Sequence, residues 1–484
     1  MQIQTPDWVK HAVFYQIFPD RFARTRSESL PPEMQVPLES WDSPPTLQGY
    51  KGGDLWGVAE RLDYLQALGI TAIYFTPIFQ SASNHRYHTH DYYNVDPLLG
   101  GNEAFLDLLE AAHSRNIKVV LDGVFNHASR GFFYFNDVLE NGPNSPWVDW
   151  FTIHGWPLSA YDGNQPANYR GWIDNRALPE FNYENLQARE YIMQVGEYWI
   201  EQGIDGWRLD VPFEIEVEGF WAEFRSRIKA INPEAYIVGE VWVDSRIWLA
   251  GDQFDGVMNY LFTGPVLAFA AKDRVEMSLV ESVDYFPYPA LDAKGYAEKI
   301  ELLLALYDWE IHQTQLNLIS SHDIARALSV VGEDMASMEI ATLLLLTFPG
   351  APSIYYGDEV GLAGGLDPDC RRTFPEEKDW NQPLLSVHKS LIALRHAHPA
   401  LRVGEYKMLA AEGNCYVFAR ILEKEMIVVA VNSGDRAIKV RLADMSEASG
   451  SVLYGKGKVE WLGDRTVMLE IPARSGIVLG NPRV

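Results

Sequence analysis

The residues best suited to chemistry are acidic side chains that follow apolar, strand-like segments. The first such segment, Gly206–Asp210, reads Gly-Trp-Arg-Leu-Asp. Side chains alternate between the two faces of a strand, so Arg208 and Asp210 share one face. A guanidinium two residues away on that face favours the ionised form of the Asp210 carboxyl. An ionised, immobilised carboxylate is a candidate nucleophile.

Two further apolar segments end in acidic residues. Tyr236–Gly239 is followed by Glu240, and Leu316–Ser321 is followed by His322 and Asp323. Strands that each end in a carboxylate are the pattern of an active site at the carboxyl end of a barrel. Any one of these acids could equally be a solvated strand end, because loops are polar. The three together, two of them beside a basic residue, favour a functional site.

The composition excludes several classes of partner. The chain has 484 residues, 47% of them hydrophobic, which is enough for a large core and two to four domains. Its 66 acidic and 40 basic side chains give a formal charge of −26. We therefore expect no nucleic acid partner and no anionic membrane partner, whereas a neutral substrate is compatible with this charge.

Targeting and disulfide signals are also lacking in the sequence. The first residues contain no basic region followed by an apolar run, which predicts a cytoplasmic protein without a signal peptide. The longest apolar run, Ala341–Phe348, is too short to span a bilayer. The two cysteines, Cys370 and Cys415, imply no disulfide framework.

Strand-like and helix-like segments alternate from about residue 12 to 396. Ala12–Phe18 is strand-like, Val58–Leu68 has leucines at helical spacing, and Gly69 separates that helix from the strand-like Ile70–Phe75. Continued along the chain, this pattern gives eight strands and about eight helices, which predicts an α/β fold of the (β/α)8 TIM barrel type. An open doubly wound sheet is the alternative, but no Gly-x-Gly-x-x-Gly follows a strand.

Two regions depart from the alternation. Residues 128–186 are rich in Asn, Pro, Gly and aromatic residues without a sustained period, which indicates an insertion at the barrel rim. After residue 399, short β runs alternate with turn residues, which predicts an antiparallel β-sandwich. We therefore expect a catalytic barrel at residues 1–127 and 187–398, an inserted domain B at 128–186 and a C-terminal β domain at 399–484.

Four short motifs follow strands of the predicted barrel. They are Asp122–His127 (Asp-Gly-Val-Phe-Asn-His), Gly206–Asp210, Gly239–Trp242 (Gly-Glu-Val-Trp) and Ser321–Asp323 (Ser-His-Asp). In sequence, order and spacing they resemble those of the α-amylase superfamily of retaining glycoside hydrolases. Leu178–Asn182 (Leu-Pro-Glu-Phe-Asn) and Asp367–Arg372 are similar to the cyclomaltodextrinase, neopullulanase and maltogenic amylase branch. The resemblance covers nearly the full length and implies the same three-part architecture.

The resemblance implies roles for the three acids. Asp210 would be the nucleophile that forms a covalent glycosyl-enzyme, and Glu240 would protonate the leaving oxygen and then deprotonate water. Retaining enzymes hold these two carboxyls about 5–5.5 Å apart. Asp323 would hold the sugar hydroxyls and favour ring distortion. No cation lies beside Glu240 in the sequence, and Trp242 offers an apolar wall that we expect to raise its pKa.

The resemblance also implies the residues that contact the sugar at the cleavage point. Arg208 would fix Asp210 in its charged form, and Asp122 would support the barrel rather than catalyse. The sugar would meet His127 and His322 through hydrogen bonds, Tyr87 through stacking, and Asp367 and Arg371 on its far side. Outside their motifs these histidines would more often be satisfied core residues. We expect Trp147, Trp150, Trp156 and Trp172 to divide between the cleft and the core of domain B.

The sequence differs from relatives in this branch at three places. The first barrel strand begins by residue 12, so we expect their N-terminal β domain to be lacking, which leaves the oligomeric state open. Asp20-Arg21-Phe22 is followed by Ala-Arg-Thr-Arg instead of an Asn/Asp-rich calcium loop, with Asp54 left largely alone. The nucleophile is followed by Val-Pro-Phe-Glu where relatives usually have Val-Ala-Asn-Glu, which places Phe213 at the acceptor side.

No cofactor is implied by these motifs, and we expect no metal. Calcium prefers several oxygen ligands, which the first loop does not offer. His85, His88 and His90 could suggest metal ligation, but the resemblance makes this the loop that carries Tyr87.

The expected function is hydrolysis of α-1,4-glucosidic bonds in cyclomaltodextrins, short maltooligosaccharides and also pullulan or starch. The alternatives are a transglycosylase, an α-1,6-glucosidase or a non-catalytic glucan-binding barrel. The Leu-Pro-Glu-Phe-Asn motif argues against α-1,6 specificity, because relatives of that kind usually begin the motif with Gln. The presence of all three carboxylates argues against a non-catalytic barrel.

Overall fold

Eight parallel strands form the centre of the molecule. The computed structural model describes residues 3–25, 36–281, 283, 289–445 and 450–481. The strands are β1 (Phe14–Ile17), β2 (Ala72–Phe75), β3 (Lys118–Gly123), β4 (Gly206–Leu209), β5 (Tyr236–Gly239), β6 (Gly256–Val257), β7 (Leu316–Asn317) and β8 (Ala351–Tyr355). They pair in the order β6-β5-β4-β3-β2-β1-β8-β7, and a parallel bridge between Met258 and Leu316 joins the two ends. The sheet closes into the TIM barrel that the alternating segments predict.

Helices cover the outside of this barrel. Their bounds are Leu55–Glu60 and Leu62–Leu68 after β1, Gly101–Ser114 after β2, Leu186–Glu201 after β3, Phe220–Ile231 after β4, Tyr260–Ala271, Ala293–Leu304 and Trp309–His312 after β6, Ala327–Val330 and Met335–Thr347 after β7, and Gln382–Ala397 and Pro399–Val403 after β8. Short helices at Asp7–His11 and Pro19–Phe22 flank β1. Residues 240–255, all described, connect β5 to β6 without an α-helix, so the regular alternation predicted from the sequence does not extend to this unit.

The connection between β1 and β2 differs in detail from its prediction. The helix predicted over Val58–Leu68 is divided at Arg61, while Gly69 ends it in the left-handed conformation (φ 95°) as expected. Asp54 is not left alone, because it caps the first of these helices. Its side chain accepts hydrogen bonds from the backbone N–H of Gly57 (2.6 Å) and Thr25 (2.9 Å).

The chain leaves the barrel twice on its way to the helix at Leu186. After β2, an antiparallel hairpin pairs Phe79–Ser81 with Thr89–Val95. After β3, residues up to 185 contain the helix Phe133–Asn141 and isolated bridges such as Phe151 to Phe181. The sequence pattern missed that helix because aromatic residues occupy its buried and exposed faces alike. Residues 128–186 as the extent of a domain B stay a prediction, as do the other domain boundaries.

The C-terminal residues form two antiparallel sheets. One sheet contains, in spatial order, Glu405–Glu412, Cys415–Leu422, Glu425–Asn432, Ser475–Gly480 and Ser451–Gly455. The other contains Ile438–Leu442, Thr466–Ile471 and Lys458–Gly463. Val417 and Ala419 pack between the sheets, whereas Tyr416 and Phe418 pack with the barrel core. The three inner strands of the first sheet are therefore buried on both faces, which explains their continuous apolar runs, whereas its edge strands Glu405–Glu412 and Ser451–Gly455 are largely exposed.

Across the described ranges, every helix is too short or too polar to cross a lipid bilayer. Both cysteines are buried and unpaired.

Candidate active site

A cleft of about 1200 Å³ lies at the carboxyl end of the barrel. The acids predicted from the sequence reach it because each directly follows a parallel strand or lies in the loop after one. Nine of the eleven predicted site residues line the cleft: Tyr87, His127, Asp210, Phe213, Glu240, Trp242, Asp323, Asp367 and Arg371. Arg208 and His322 lie beneath this surface and are fully buried.

Arg208 organises the floor of the cleft. Its Nη1 donates to Asp210 Oδ1 (2.8 Å) and to both carboxylate oxygens of Asp122 (2.8 and 2.9 Å). Burial acts to lower the pKa of the guanidinium, but Asp122 and Glu240 raise it well above its ordinary value. Asp122 thus supports the arginine from below, as expected, and Arg208 in turn fixes the orientation of Asp210.

Glu240 meets the same guanidinium from the other side. Arg208 Nη2 lies 2.9 Å from Glu240 Oε2, although the N–H directions make this a charge contact rather than a well-directed hydrogen bond. Glu240 Oε2 accepts the backbone N–H of Val211 (3.1 Å), and its Oε1 accepts Trp242 Nε1 (3.1 Å). The pKa of Glu240 is raised as expected, but burial is the cause, and the Trp242 indole acts as a hydrogen-bond donor that opposes the increase. Arg208 comes beside Glu240 only when β4 and β5 pair.

The two carboxylates consequently lie side by side. Asp210 contacts one terminal nitrogen of Arg208 and Glu240 contacts the other. Retaining glycosidases place their carboxyls about 5–5.5 Å apart, whereas inverting enzymes leave about 6.5–9.5 Å for a water molecule. Two carboxylates bridged by one guanidinium favour the shorter, retaining arrangement.

The buried acids around Arg208 all have raised pKa values. Burial raises the pKa of Asp210 well above its ordinary value, with Arg208 opposing and Glu240 adding to the increase. Burial likewise raises the pKa of Glu240, again against Arg208, and raises that of Asp122 to about 6. Because the three carboxyls surround one guanidinium, the ionisation of each affects the pKa of the others, and their protons belong to the group as a whole.

Asp323 joins this cluster to the other wall of the cleft. Its Oδ1 lies 3.4 Å from Arg371 Nη2, and Arg371 Nη1 lies 3.0 Å from Asp367 Oδ1. Burial raises the pKa of Asp323, while Arg371 and Arg208 oppose that increase. The predicted group of Asp323, Asp367 and Arg371 is thus brought together as one chain of ion pairs.

Tyr87 and His322 occupy different depths. The Tyr87 hydroxyl donates to Asp122 Oδ2 (2.9 Å) and contacts His322 Nε2, and the two rings are parallel with centroids 5.5 Å apart. Gln16 Nε2 lies 2.8 Å from His322 Nδ1, which places the proton of the neutral ring on Nε2, facing Asp323 Oδ2 (3.1 Å). Burial lowers the His322 pKa well below its ordinary value. Because His322 lies under Tyr87, its direct contact with a sugar stays a prediction.

His127 has an unused hydrogen-bonding atom. Its Nε2 is buried and has no partner among the described residues, although the ring lines the cleft. The Trp172 ring stacks on it (centroids 5.2 Å apart, 19° between planes) and also lines the cleft. Burial lowers the His127 pKa to about 3, so the imidazole is neutral. Of the four tryptophans considered for the insertion, Trp172 is the one that lines the cleft.

The residues after Asp210 adopt an unusual backbone. Val211 has φ 35° and ψ 51°, a left-handed conformation that costs a β-branched residue about 1–3 kcal/mol. This conformation directs its N–H to Glu240 Oε2. The Pro212 carbonyl accepts Trp221 Nε1 (2.9 Å), and Phe213 lines the cleft with 41% of its surface exposed. The acceptor-side role of Phe213 stays a prediction.

Several residues of the cleft wall were missed by the sequence analysis. They include Leu47, Gln48, Asn84, Val243 and Trp248. These residues lie in irregular segments with no periodicity, so no local signal marks them. His85 and His88 also line the cleft, but His85 Nδ1 accepts the backbone N–H of Tyr87 (3.2 Å). The described residues contain no group of three potential ligands arranged to hold a metal ion.

Comparisons with known proteins agree with this geometry. Residues 16–379 match the model of the alpha amylase catalytic domain, and residues 404–479 match that of the alpha-amylase C-terminal domain. A cyclomaltodextrinase from Bacillus sp is 43% identical over 439 residues, which are 90% of this chain and 74% of that protein.

Solved structures are also similar over the full length. The structure of a debranching enzyme from Nostoc punctiforme is 64% identical, covers 99% of this chain and 100% of its own, and has a TM-score of 0.93. A cyclic alpha-maltosyl-(1→6)-maltose hydrolase from Arthrobacter globiformis, in complex with that sugar, is 35% identical with a TM-score of 0.86, covering 99% of this chain and 100% of its own. The chain therefore belongs to the α-amylase family and is an α-glucan hydrolase.

Proposed function

We propose that the protein hydrolyses α-glucosidic bonds of short and branched glucans by double displacement, with Asp210 as nucleophile and Glu240 as acid and base. The observation that carries this proposal is the pair of carboxylates held on the two terminal nitrogens of Arg208. Such a pair has the proximity that a retaining mechanism requires.

Asp210 is suited to attack. Arg208 binds its Oδ1, and Oδ2 receives no hydrogen bond from the described residues, which leaves that oxygen available to the anomeric carbon. The attack breaks the glycosidic bond and forms a bond between Oδ2 and the sugar. As positive charge develops on the sugar ring, the nearby carboxylates of Asp210 and Asp323 stabilise it.

Glu240 is suited to move the proton. In the first step its carboxyl gives a proton to the leaving oxygen, so the freed sugar departs with a hydroxyl group. In the second step the carboxylate removes a proton from water, whose oxygen bonds to the anomeric carbon and releases Asp210. The N–H of Val211 and the indole of Trp242 hold Glu240 in one orientation for both steps.

The remaining predicted residues bind the substrate in this proposal. His127 Nε2 is an unpartnered polar atom that a sugar hydroxyl would satisfy. Tyr87 and Phe213 offer aromatic faces, and Asp367 with Arg371 offers charged hydrogen-bonding groups on the donor side. The cytoplasmic location and the lack of nucleic acid partners stay predictions, and the oligomeric state stays open.

Two linkages compete for this site. The motifs predict cleavage of the α-1,4 bond of cyclic and short linear glucans, and the similarity to a cyclomaltodextrinase supports this prediction. The α-1,6 bond at branch points is the second candidate. It is favoured by the similarity to the Nostoc punctiforme debranching enzyme, which has the higher identity, and to the Arthrobacter globiformis hydrolase of a cyclic sugar with a 1→6 linkage. Only the first residue of the Leu178–Asn182 motif speaks against α-1,6 specificity, so both linkages are tested below.

A side-by-side assay tests the proposal and separates the linkages. Equal concentrations of β-cyclodextrin, linear maltohexaose, pullulan and a maltooligosaccharide with an α-1,6 maltosyl branch are incubated with the enzyme and with Glu240→Gln. NMR of the first product should show the α-anomer, and Glu240→Gln should be nearly inactive on all four. Initial release of the β-anomer would contradict the retaining mechanism, and the ranking of the four rates decides the linkage.

A further inference from the structure

Residues 38–51 form one wall of the cleft without any helix or strand. This segment, here called the Lys51 loop, carries Leu47, which lines the cleft with 66% of its surface exposed. The side chain of Leu47 is exposed, but polar contacts from three directions hold the backbone of the loop that carries it.

The first set of contacts comes from inside the loop. The Lys51 side chain is fully buried, and its Nζ donates to Ser40 O (2.7 Å), Ser43 O (2.7 Å) and Ser43 Oγ (2.6 Å). Glu39 Oε2 lies 3.3 Å from the same nitrogen. An ammonium surrounded by oxygen atoms in this way ties an irregular segment together as a bound metal ion would.

The second and third sets join the loop to the rest of the cleft. Asn84, itself buried, donates from Nδ2 to the carbonyls of Leu47 (3.1 Å) and Gly49 (2.8 Å). Arg21 Nη2 donates to Gly49 O (2.8 Å). Trp41 accepts a hydrogen bond from the Thr373 hydroxyl at its carbonyl (2.6 Å). The backbone of Leu47 is therefore fixed relative to the acids although its side chain is exposed.

Arg21 connects the Lys51 loop with the side of the cleft that carries Asp367. Glu240 would protonate the leaving oxygen, so the leaving sugar lies toward Glu240 and Trp242, and the donor chain extends past Asp323 toward Arg371 and Asp367. Arg21, which holds the Lys51 loop, also acts on Asp367 through its charge.

We propose that Leu47 contacts a donor-side glucose unit beyond the one that is transferred, and that Lys51 is the residue that positions it. This inference rests on the proposed function and specifies how the same site distinguishes substrates by the length of their donor chain. A rigid apolar side chain would pack against the C–H face of a glucose ring, which excludes water from that contact. The enzyme should then prefer donor chains long enough to reach Leu47.

The test uses p-nitrophenyl α-glycosides with one to five glucose units. Release of nitrophenol reports only complexes in which the whole chain lies on the donor side. In the wild type, kcat/KM should rise in a step at the length that reaches Leu47, and Leu47→Ala should lose about fivefold at that step. The one-unit substrate should be unaffected. Leu302→Ala is the matched control, because Leu302 is 64% exposed on the helix Ala293–Leu304 and lies outside the cleft.

Lys51 is tested by Lys51→Met, assayed below its melting temperature, with Ser43→Ala as a milder variant that removes one oxygen from the ammonium. Both variants should reduce the increase in kcat/KM at the chain length that reaches Leu47. The kcat/KM for the one-unit substrate should be unchanged. EDTA and calcium should not alter the wild-type melting temperature, since the ammonium already fills the loop. A fall of several degrees with EDTA, reversed by calcium, would contradict this role of Lys51.

The outcomes separate the two levels of inference. If no glycoside releases nitrophenol and no glucan is cleaved, the proposed function fails. If nitrophenol is released but Leu47→Ala and the wild type have superimposable length profiles, only the donor-side inference fails.

Discussion

Two sets of buried arginines lie at opposite ends of the barrel, and their partners differ in kind. At the carboxyl end, Arg208 is surrounded by the carboxylates of Asp122, Asp210 and Glu240. At the other end, where Met335–Thr347 leads into β8, Arg395 and Arg420 donate their hydrogen bonds to backbone carbonyls of the described residues. Arg395 donates to the carbonyls of Leu346, Phe348, Gly350 and Leu401, and Arg420 to those of Thr347, Leu401 and Gly404.

The difference in partners produces different electrostatics. Among carboxylates, the pKa of Arg208 rises above its ordinary value even though burial opposes this. Among carbonyls, burial lowers the pKa of Arg395 well below its ordinary value and that of Arg420 to about 9. A guanidinium that faces carboxylates tunes groups that can react, whereas one that faces carbonyls satisfies peptide groups that cannot titrate. We therefore expect the first cluster to govern activity and the second to govern stability.

The largest expected effect is on catalysis at the Arg208 cluster. Asp210→Asn removes the nucleophile at almost constant volume, so kcat should fall by more than about a thousandfold. The melting temperature should stay the same or rise, because the variant removes a buried carboxyl whose ionised form burial disfavours. Steady-state kinetics and thermal melts measure both. Activity above about one part in a thousand would show that Asp210 is not the nucleophile.

The second expectation concerns the proton on Glu240. Its raised pKa means that the carboxyl is protonated below that pKa and loses its proton as pH rises, so kcat should decrease about tenfold per pH unit on the alkaline side. A p-nitrophenyl leaving group needs little protonation. With a p-nitrophenyl glycoside, kcat should therefore decrease much less with rising pH on the alkaline side than it does with maltohexaose. Parallel limbs for the two substrates would assign the limb to another group.

The third expectation concerns the carbonyl-bound arginines. Arg420→Met leaves the carbonyls of Thr347, Leu401 and Gly404 without this donor, which should lower the free energy of unfolding by about 3 kcal/mol. The kcat of the folded protein should be unchanged. Arg441→Met, on the exposed face of the strand Ile438–Leu442, serves as the control. A decrease in kcat at temperatures where the variant is folded would contradict the inference that the carbonyl-bound arginines affect stability alone.

The fourth expectation concerns a buried acid with no cation. Glu359 accepts hydrogen bonds from Tyr15 (2.8 Å) and Tyr64 (2.6 Å), and burial raises its pKa to about 7. Because the pKa of Glu359 is higher in the folded than in the unfolded protein, Glu359 contributes fully to the free energy of unfolding below about pH 4.5. This contribution is lost as the pH rises to about 7. Chemical denaturation should show Glu359→Gln gaining about 3 kcal/mol relative to the wild type between pH 4.5 and 8. A difference independent of pH would mean that Glu359 stays ionised in the fold.

The smallest expectation concerns the acceptor side. Phe213 presents a ring where relatives of this branch usually have an amide, and stacking orients an acceptor sugar less strictly than hydrogen bonds. Transfer products from maltotriose should therefore be scarce or mixed in linkage. Phe213→Asn should change their ratio to hydrolysis products several-fold while kcat changes less. A single dominant transfer linkage, the same in both proteins, would show that this position does not govern the acceptor.

The sequence alone determined the barrel, the C-terminal sheets and the acids of the site. The barrel strands follow from apolar runs that end in polar residues, and local spacing placed Arg208 on the same face as Asp210, which the structure confirms at 2.8 Å. The comparisons confirm the family that the motifs predict. These features could be read locally because each depends on residues within one strand or one motif.

Only the tertiary structure decided which groups share a charge and which segments complete the cleft. Arg208 reaches Glu240 because β4 and β5 pair in parallel with Leu209 opposite Gly239, a register that no local pattern reveals. His322 lies beneath Tyr87, which comes from a distant part of the chain. Lys51 and Leu47 belong to an irregular loop whose shape depends on Asn84 and Thr373, which are distant in sequence. Such contacts are set by packing between segments, so their chemistry appears only once the chain has folded.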